Sequence, residues 1–272
     1  MTTTGGLGPA RPSTASRFVT AFYERDGDTF SPSELTRGPW DPGAQHAGPP
    51  SALLGAALER AGWLIGRITI EVLRPVPLAP LTRSARVERP GRNVELASAA
   101  LHDAHGAEIA RATAWRLRLD DAPVSVAEDP PPPGPEHGDD KPFFDTGQAV
   151  GYHTAMEYRF VAGAFTDPGP ATVWMRMRQP LVEGEPVSPL ARVLVAADSG
   201  NGVSAALDYT RHLFVNTELT VHLTRLPESE WVCLDAVTRP GTLGVGLAEA
   251  VLSDERARLG RSAQTLLVRE RR

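Results

Sequence analysis

An aspartate at the end of an apolar helix is the first side chain in this sequence that could do chemistry. Within residues 188–207, Leu190, Val193 and Leu194 recur at helical spacing, and the other helix faces are nearly as apolar. The pattern predicts a helix that is buried on most sides and ends at Asp198. Because a buried carboxylate is costly unless a partner or ligand uses it, Asp198 is a candidate functional residue. A polar turn just outside the core is the alternative.

Composition limits the classes of function. The chain of 272 residues has room for one large domain or two ordinary ones. Its net charge of −5, without a basic block, argues against nucleic acid as a partner. No apolar run approaches the roughly 18 residues that span a membrane. The lack of an apolar leader and the single Cys233, which can form no internal disulfide, favour a cytoplasmic protein.

A proline-rich stretch divides the chain. Residues 128–141 contain four consecutive prolines between acidic residues. Such a stretch is extended and semi-rigid, and its charges keep it solvated. We therefore predict a disordered tail (residues 1–16), an N-terminal domain (17–125), a proline-rich acidic linker (126–150) and a C-terminal domain (151–272).

The two halves are similar to each other. Four residues of the first half recur in the same order 151 positions later: Thr69, Ile70, Val72 and Arg74 correspond to Thr220, Val221, Leu223 and Arg225. Further along, VERPG at 87–91 matches VTRPG at 237–241. A weak repeat with one-residue slips indicates a duplicated domain. Since Arg74 and Arg225 fall at equivalent strand ends, we predict that they share a structural role.

Each half has the same order of predicted elements, namely a strand-like segment, one apolar helix and about four strands joined by tight turns. The first half has a helix at 50–62 and strands at 68–73, 82–88, 93–101 and 109–119. The second half has a helix at 188–206 and strands at 217–224, 231–237, 243–252 and 262–269. A helix that is apolar all round needs a sheet wrapped around it, so the pattern predicts an α+β fold.

The two copies differ at polar positions. Aligning them places Asp198 opposite Leu58 and Gln264 opposite Thr113. When a duplication keeps its core but changes its polar positions, the polar copy is the candidate site. A site at the seam between the copies would also explain why both are retained.

Several short motifs follow one another at a recognisable spacing. They are GPWD at 38–41, QHAGPP at 45–50, ADS at 197–199, NTELTVHL at 216–223 and AQ at 263–264. Their order resembles the TesB-like acyl-CoA thioesterases, in particular the actinobacterial thioesterase-like branch. The resemblance implies a double hotdog, in which two tandem units each wrap an antiparallel sheet around a central helix. It implies hydrolysis of acyl-CoA, with coenzyme A as part of the substrate and no other cofactor. Double hotdogs often pair again, so a homodimer is a further expectation.

The resemblance also implies a trio of polar site residues. They are an Asp at the end of the central helix, a Thr or Ser on the next strand and a Gln on the last strand. The first and last fall on Asp198 and Gln264. The hydroxyl position falls on Asn216, with Thr217 one residue further on. Asparagine can hydrogen-bond a water but has no hydroxyl, and this departure motivates the alternative of a non-catalytic protein that binds acyl-CoA or an acyl lipid.

Thioester hydrolysis needs a positioned water, a proton acceptor and donors for the developing oxyanion. We predict that Asp198 holds and deprotonates the water, assisted by the other members of the trio. Backbone N–H groups near Ala47 and Gly48, at the start of the first helix, are the predicted oxyanion donors, because glycine permits close approach and the helix dipole favours negative charge. His46 is predicted to line the seam or cap the helix.

A second enzymatic alternative uses different residues. Asp41 and His46 are spaced as in the D-x-N-P-x-H motif of hotdog enoyl-CoA hydratases, although Gly43 and Ala44 replace the Asn-Pro pair. The sequence contains no G-x-S-x-G of serine hydrolases. No Cys/His spacing predicts a zinc site, so no metal is expected.

Overall fold

A computed structural model describes residues 20–120 and 124–271. The tail predicted at residues 1–16 lies outside the described residues. The first half contains β1 (Tyr23–Asp26), β2 (Thr29–Pro32), α1 (Gly48–Leu58), β3 (Trp63–Val72), β4 (Leu81–Arg89), β5 (Val94–His102) and β6 (Glu108–Arg118). The second half contains α2 (Tyr152–Ala155), β7 (Met156–Ala164), β8 (Asp167–Met177), α3 (Pro189–Ala197), α4 (Gly200–Val203), β9 (His212–Asn216), β10 (Glu218–Leu223), β11 (Val232–Pro240), β12 (Val245–Ser253) and β13 (Arg258–Glu270).

The strands of the described residues form one antiparallel sheet. Its order is β1-β2-β4-β5-β6-β3-β10-β13-β12-β11-β8-β7, with β9 paired to β13. The α+β class is therefore confirmed, and all eight strands predicted after the two helices are present. The short strands β1, β2 and β9, and the pair β7 and β8, were not separately predicted.

The two halves meet where β3 pairs with β10. In this pairing Thr69 faces Thr220, and their hydroxyl oxygens are 3.1 Å apart. These are the two threonines that the repeat equates at a distance of 151 residues. The sheet thus runs from one half into the other through equivalent strands, as expected for two copies of one unit related by an approximate twofold axis.

The central helices pack directly against each other inside the sheet. The start of α1 meets the end of α3, where a methyl group on Gly48 would lie 2.6 Å from the backbone oxygen of Val195. Near the other end of α1, a methyl group on Gly55 would collide with the side chain of Leu194. Glycine at both positions therefore permits the close approach of the two helices. Leu53 of α1 and Leu194 of α3 belong to the same hydrophobic core, which extends through both halves.

The strand register corrects one detail of the repeat. Thr69 on β3 pairs with Thr113 on β6, whereas Thr220 on β10 pairs with Ala263 on β13. The counterpart of Gln264 is therefore Ala114, and its predicted match to Thr113 is wrong by one residue. Because neighbouring strand residues face opposite sides of a sheet, the correction matters. Gln264 is a buried amide where the first half has a buried methyl group.

The helices end earlier than predicted. Helix α1 stops at Leu58 because Glu59 takes an extended backbone conformation (ψ 145°). Helix α3 begins with a cap, in which the Ser188 hydroxyl accepts a hydrogen bond from the Ala191 N–H at 3.1 Å. It ends at Ala197, and a turn at Asp198 leads into α4.

The proline-rich segment contacts the second half. The Trp174 indole donates to the Pro133 carbonyl at 2.7 Å, and the backbone of Asp139 pairs with that of Phe160. Phe143 and Phe144 then pack against the core. The domain boundaries at residues 125 and 150 stay predictions.

Candidate active site

A cavity of about 410 Å³ opens at the seam between the two halves. The first half contributes the loop before α1 and the chain that follows β3. The second half contributes the end of α3, the start of α4 and the end of β9. The lining residues are Gly38, Pro39, Trp40, Asp41, Ala44, Gln45, His46, Ala47, Val72, Leu73, Arg74, Pro75, Val76, Asp198, Asn201, Leu213, Val215, Asn216 and Thr217.

Asp198 lies in the wall of this cavity and is only 4% exposed. The alternative of a polar turn outside the core is therefore wrong. Three side chains surround the carboxylate. Asn216 Nδ2 donates to Oδ1 at 2.8 Å, Gln264 Nε2 lies 3.3 Å from the same oxygen, and His46 Nδ1 lies 3.0 Å from Oδ2. These contacts compensate the desolvation of the carboxylate.

Gln264 has a fixed orientation. Its Oε1 accepts a hydrogen bond from the Asn201 N–H at 3.2 Å, so its Nε2 is the atom that faces Asp198. The same Nε2 donates to the backbone carbonyl of Asp198 at 3.1 Å. Strand β13 thereby fastens the end of α3, and Gln264 positions both the main chain and the side chain of Asp198.

Thr217 is not brought into this group. It is exposed, and its hydroxyl donates to the Thr265 carbonyl at 3.4 Å instead of approaching Asp198. It still lines the cavity. Asn216 at the end of β9 is therefore the residue that takes the trio's strand position, and its amide provides the donor that a hydroxyl would provide.

His46 connects the first half to Asp198 across the seam. Its ring stacks on Tyr152, with ring centroids 3.7 Å apart and planes 4° from parallel. Tyr152 is itself held, because its hydroxyl donates to the Val195 carbonyl at 2.6 Å and contacts the Ser199 hydroxyl at 3.0 Å. Burial lowers the pKa of His46, and the nearby Asp198 charge opposes this shift. No motif in the sequence indicated Tyr152 as part of the site.

The proton on His46 can be assigned from its neighbours. Nδ1 lies 3.0 Å from the Asp198 carboxylate and 3.1 Å from the Gly48 backbone nitrogen. An ionised carboxylate only accepts and a backbone N–H only donates, so Nδ1 can bond one of them and not both. With Asp198 ionised, Nδ1 carries the proton and donates to it. The Gly48 N–H, which points at the same nitrogen, then has no acceptor in His46.

Asp41 and His46, the residues of the alternative hydratase pair, both line the cavity but serve different partners. Asp41 Oδ1 accepts a hydrogen bond from the Gly43 N–H at 2.8 Å, which closes a turn. Within residues 20–120 and 124–271, no hydrogen bond or ion pair joins Asp41 to His46. In the same part of the chain, no cluster of three His, Cys, Asp or Glu side chains could hold a metal ion. That the chain needs no cofactor, with coenzyme A present only as part of the substrate, stays a prediction.

The chain matches known families over most of its length. Residues 36–117 match the family described as the acyl-CoA thioesterase N-terminal domain, and residues 126–268 match the acyl-CoA thioesterase C-terminal domain. No protein with a curated description matches the sequence. No helix in the described part of the chain is long and apolar enough to cross a membrane.

Solved structures share the fold at low sequence identity. A putative thioesterase II from Thermobifida fusca is 19% identical, with a TM-score of 0.72 over 94% of this chain and 99% of that one. A hot dog fold protein of unknown function from Alicyclobacillus acidocaldarius is 17% identical, with a TM-score of 0.67 over 92% and 96%. The acyl-CoA thioesterase II TesB2 from Mycobacterium marinum is 15% identical, with a TM-score of 0.65 over 92% and 96%.

Proposed function

The chain belongs to the acyl-CoA thioesterase family and folds as a double hotdog, and from this premise we propose that it hydrolyses acyl-CoA at the seam cavity, using a water positioned by Asp198. The observation that carries the proposal is the arrangement around the Asp198 carboxylate. It is buried beside a cavity and is held by side chains from three separate elements.

The hydrogen bonds of Asp198 leave room for one water. A carboxylate has about four acceptor positions. Oδ1 receives Asn216 and Gln264, whereas Oδ2 receives only His46. The remaining position on Oδ2 can accept an O–H of the hydrolytic water. Asn216 stands where the predicted trio has a hydroxyl, and its amide still donates a hydrogen bond to Oδ1. This favours a catalytic site over a site that binds acyl-CoA without hydrolysing it.

The backbone at the start of α1 is the proposed binding site for the oxyanion that forms during hydrolysis. Water attacks the thioester carbonyl carbon, and the carbonyl oxygen gains negative charge before the C–S bond breaks. Ala47, which lines the cavity, and Gly48 stand at the N-terminus of α1, where the helix dipole and backbone N–H groups favour negative charge and can stabilise this oxygen. The products are the free acid and coenzyme A.

A panel of acyl-CoAs assayed with a thiol reagent tests the proposal. We expect release of free thiol for at least one acyl class, at a rate above the uncatalysed reaction. Binding of acyl-CoA without turnover at any chain length would contradict hydrolysis and support the non-catalytic alternative. Loss of enoyl absorbance that depends on Asp41 and His46 would instead indicate a hydratase.

Arg74 is the cation that we assign to the phosphate end of coenzyme A. Its counterpart Arg225 makes a two-point ion pair with buried Asp254, which fits the predicted structural role. Arg74 lacks such a pair. It is exposed at the cavity, and within the described residues its side chain makes no hydrogen bond or close ion pair. The predicted structural role therefore fits Arg225, whereas Arg74 keeps only an electrostatic interaction with Asp103, the counterpart of Asp254.

Replacing Arg74 with glutamine should raise KM for acyl-CoA about tenfold, the effect of losing one hydrogen bond to a charged group. KM for the matching acyl-N-acetylcysteamine, which has no phosphates, should not change. The control is Arg92→Gln, at an exposed position in the turn between β4 and β5. An equal loss with both substrates would show that Arg74 does not contact the phosphates.

Location and assembly remain predictions. A cytoplasmic location is consistent with Cys233, which is a buried free thiol. Pairing of two chains through exposed faces is expected from the architecture, and light scattering of the purified chain would measure it.

A further inference from the structure

His46 has one ring nitrogen that the protein does not use. Nδ1 faces Asp198, but no group in residues 20–120 and 124–271 bonds Nε2, and Nε2 is not enclosed in the protein. The His46 side chain is 14% exposed, compared with 4% for that of Asp198, and it lines the cavity. The imidazole is therefore more accessible to a bound water than the carboxylate behind it.

We propose that His46 is the catalytic base, accepting the proton of a hydrolytic water bound at Nε2. Asp198 then acts on this water through the ring, which it positions and whose positive charge it stabilises, and not by binding the water at Oδ2. This deepens the proposed hydrolysis and rests on it. As the water oxygen bonds to the carbonyl carbon, one proton moves to Nε2. The tetrahedral intermediate then collapses, the C–S bond breaks, and the imidazolium returns the proton to the departing sulfur. Atoms and charges balance without a co-reactant.

The surroundings of His46 suit this role. Asp198 on the α3 side accepts the Nδ1 proton and would stabilise the imidazolium once it forms. Tyr152 on α2 fixes the plane of the ring by stacking on it. Asp41 lines the same cavity, but its carboxylate is engaged by the Gly43 N–H. No cation among the lining residues other than Arg74 could repel the proton.

Imidazole is also the better base near neutral pH. An ordinary histidine has a pKa of about 6.5, whereas an ordinary aspartate has a pKa of about 3.9. The pKa of a base is best placed near the working pH. Burial lowers the pKa of His46, so the ring is neutral and able to accept a proton at pH 7. Assigning the proton transfer to His46 leaves Asp198 with the orienting function that its three donors require.

The experiment compares pH profiles of kcat/KM for the natural chain and His46→Asn. Asparagine can place an amide near the Nδ1 position and keep a donor for Asp198, but it has nothing in place of Nε2. For the natural chain we expect the rate to fall on acidification with an apparent pKa below 6.5. His46→Asn should lower kcat by about 10² to 10⁴-fold and lose this acid limb. His46→Ala should regain part of its rate when free imidazole is added.

The control is His222→Ala, which removes an exposed imidazole from β10 and should leave the profile unchanged. Thermal unfolding of each variant shows whether it is folded. A folded His46→Asn that keeps the acid limb and loses less than about threefold in kcat would overturn the assignment and return the base role to Asp198. Absence of turnover by the natural chain would remove the proposed function itself, which is a different outcome.

Discussion

Asp198→Asn should lower kcat for acyl-CoA about a thousandfold with a much smaller change in KM. The carboxylate accepts from Asn216, Gln264 and His46, and an amide in its place has one acceptor atom and two donor hydrogens. One of these partners would then meet a donor instead of an acceptor, and the ring of His46 would lose its counter-charge. Loss of a base or of an electrostatic stabiliser costs about 10² to 10⁴-fold. Steady-state kinetics with thiol detection measure both constants.

The matched control for Asp198 is Asp167→Asn at the exposed start of β8. It makes the same chemical change away from the cavity, and its kcat should equal that of the natural chain. Full activity of Asp198→Asn would remove this residue from the mechanism, whatever acyl group is used.

Asp254→Ala should destabilise the fold by about 3 to 5 kcal/mol, the usual cost of removing one partner from a buried ion pair. Asp254 is fully buried and bonds both Nη atoms of Arg225. It also accepts the backbone N–H groups of Glu228, Arg256 and Ala257 at 2.9 to 3.0 Å. Without the carboxylate, the Arg225 charge and three N–H groups lose their acceptor. Urea unfolding measures the change in free energy.

The comparison variant is Asp103→Ala, at the corresponding loop of the first half. Asp103 accepts the N–H groups of His105 and Ala107 but has no arginine bonded to it. Because Asp103 is partly exposed, Asp103→Ala should lower the free energy of unfolding clearly less than Asp254→Ala does. Equal destabilisation by the two variants would show that the loop, and not the ion pair, determines the effect.

Acidification should lower the free energy of unfolding by weakening the same ion pair between Asp254 and Arg225. Burial by itself would raise the pKa of Asp254, but the Arg225 side chain and the backbone N–H groups outweigh it and lower the pKa to about 2. The unfolded chain, with a pKa near 3.9, then binds more protons between these values. The contribution of Asp254 to stability is therefore complete above about pH 4 and is lost as the pH falls through about 2.

The sequence predicted elements with strong periodicity better than short ones. The strands that follow each helix were recognised because their residues alternate between the core and the solvent, as in Thr69-Ile70-Glu71-Val72. Strands β1 and β2 have four residues each, too few to show such a period. Gln264 was found from its motif, but its counterpart was misplaced because a one-residue slip cannot be seen without the strand register.

One part of the site could be predicted from the sequence, and the reason is physical. Asp198 stood out because a carboxylate at the end of an apolar helix is costly, and the repeat showed that the other copy lacks it. The bond between His46 and Asp198 joins two halves of the chain, and the stack of His46 on Tyr152 depends on a third segment. Contacts of this kind depend on how α1, α2 and α3 pack, and no local pattern encodes them.

The pairing of β3 with β10 has a consequence for stoichiometry. Two identical units associated through these strands would form a symmetric pair with two equal sites, and a substitution in one would appear in both. Joined in a single chain, each unit can change alone. His46 of the first unit and Asp198 of the second unit form one site. The equivalent second site is incomplete, because the buried Ala114 stands where the second unit has Gln264. We therefore expect one acyl-CoA to bind per chain, because the equivalent second site has lost its polar residues.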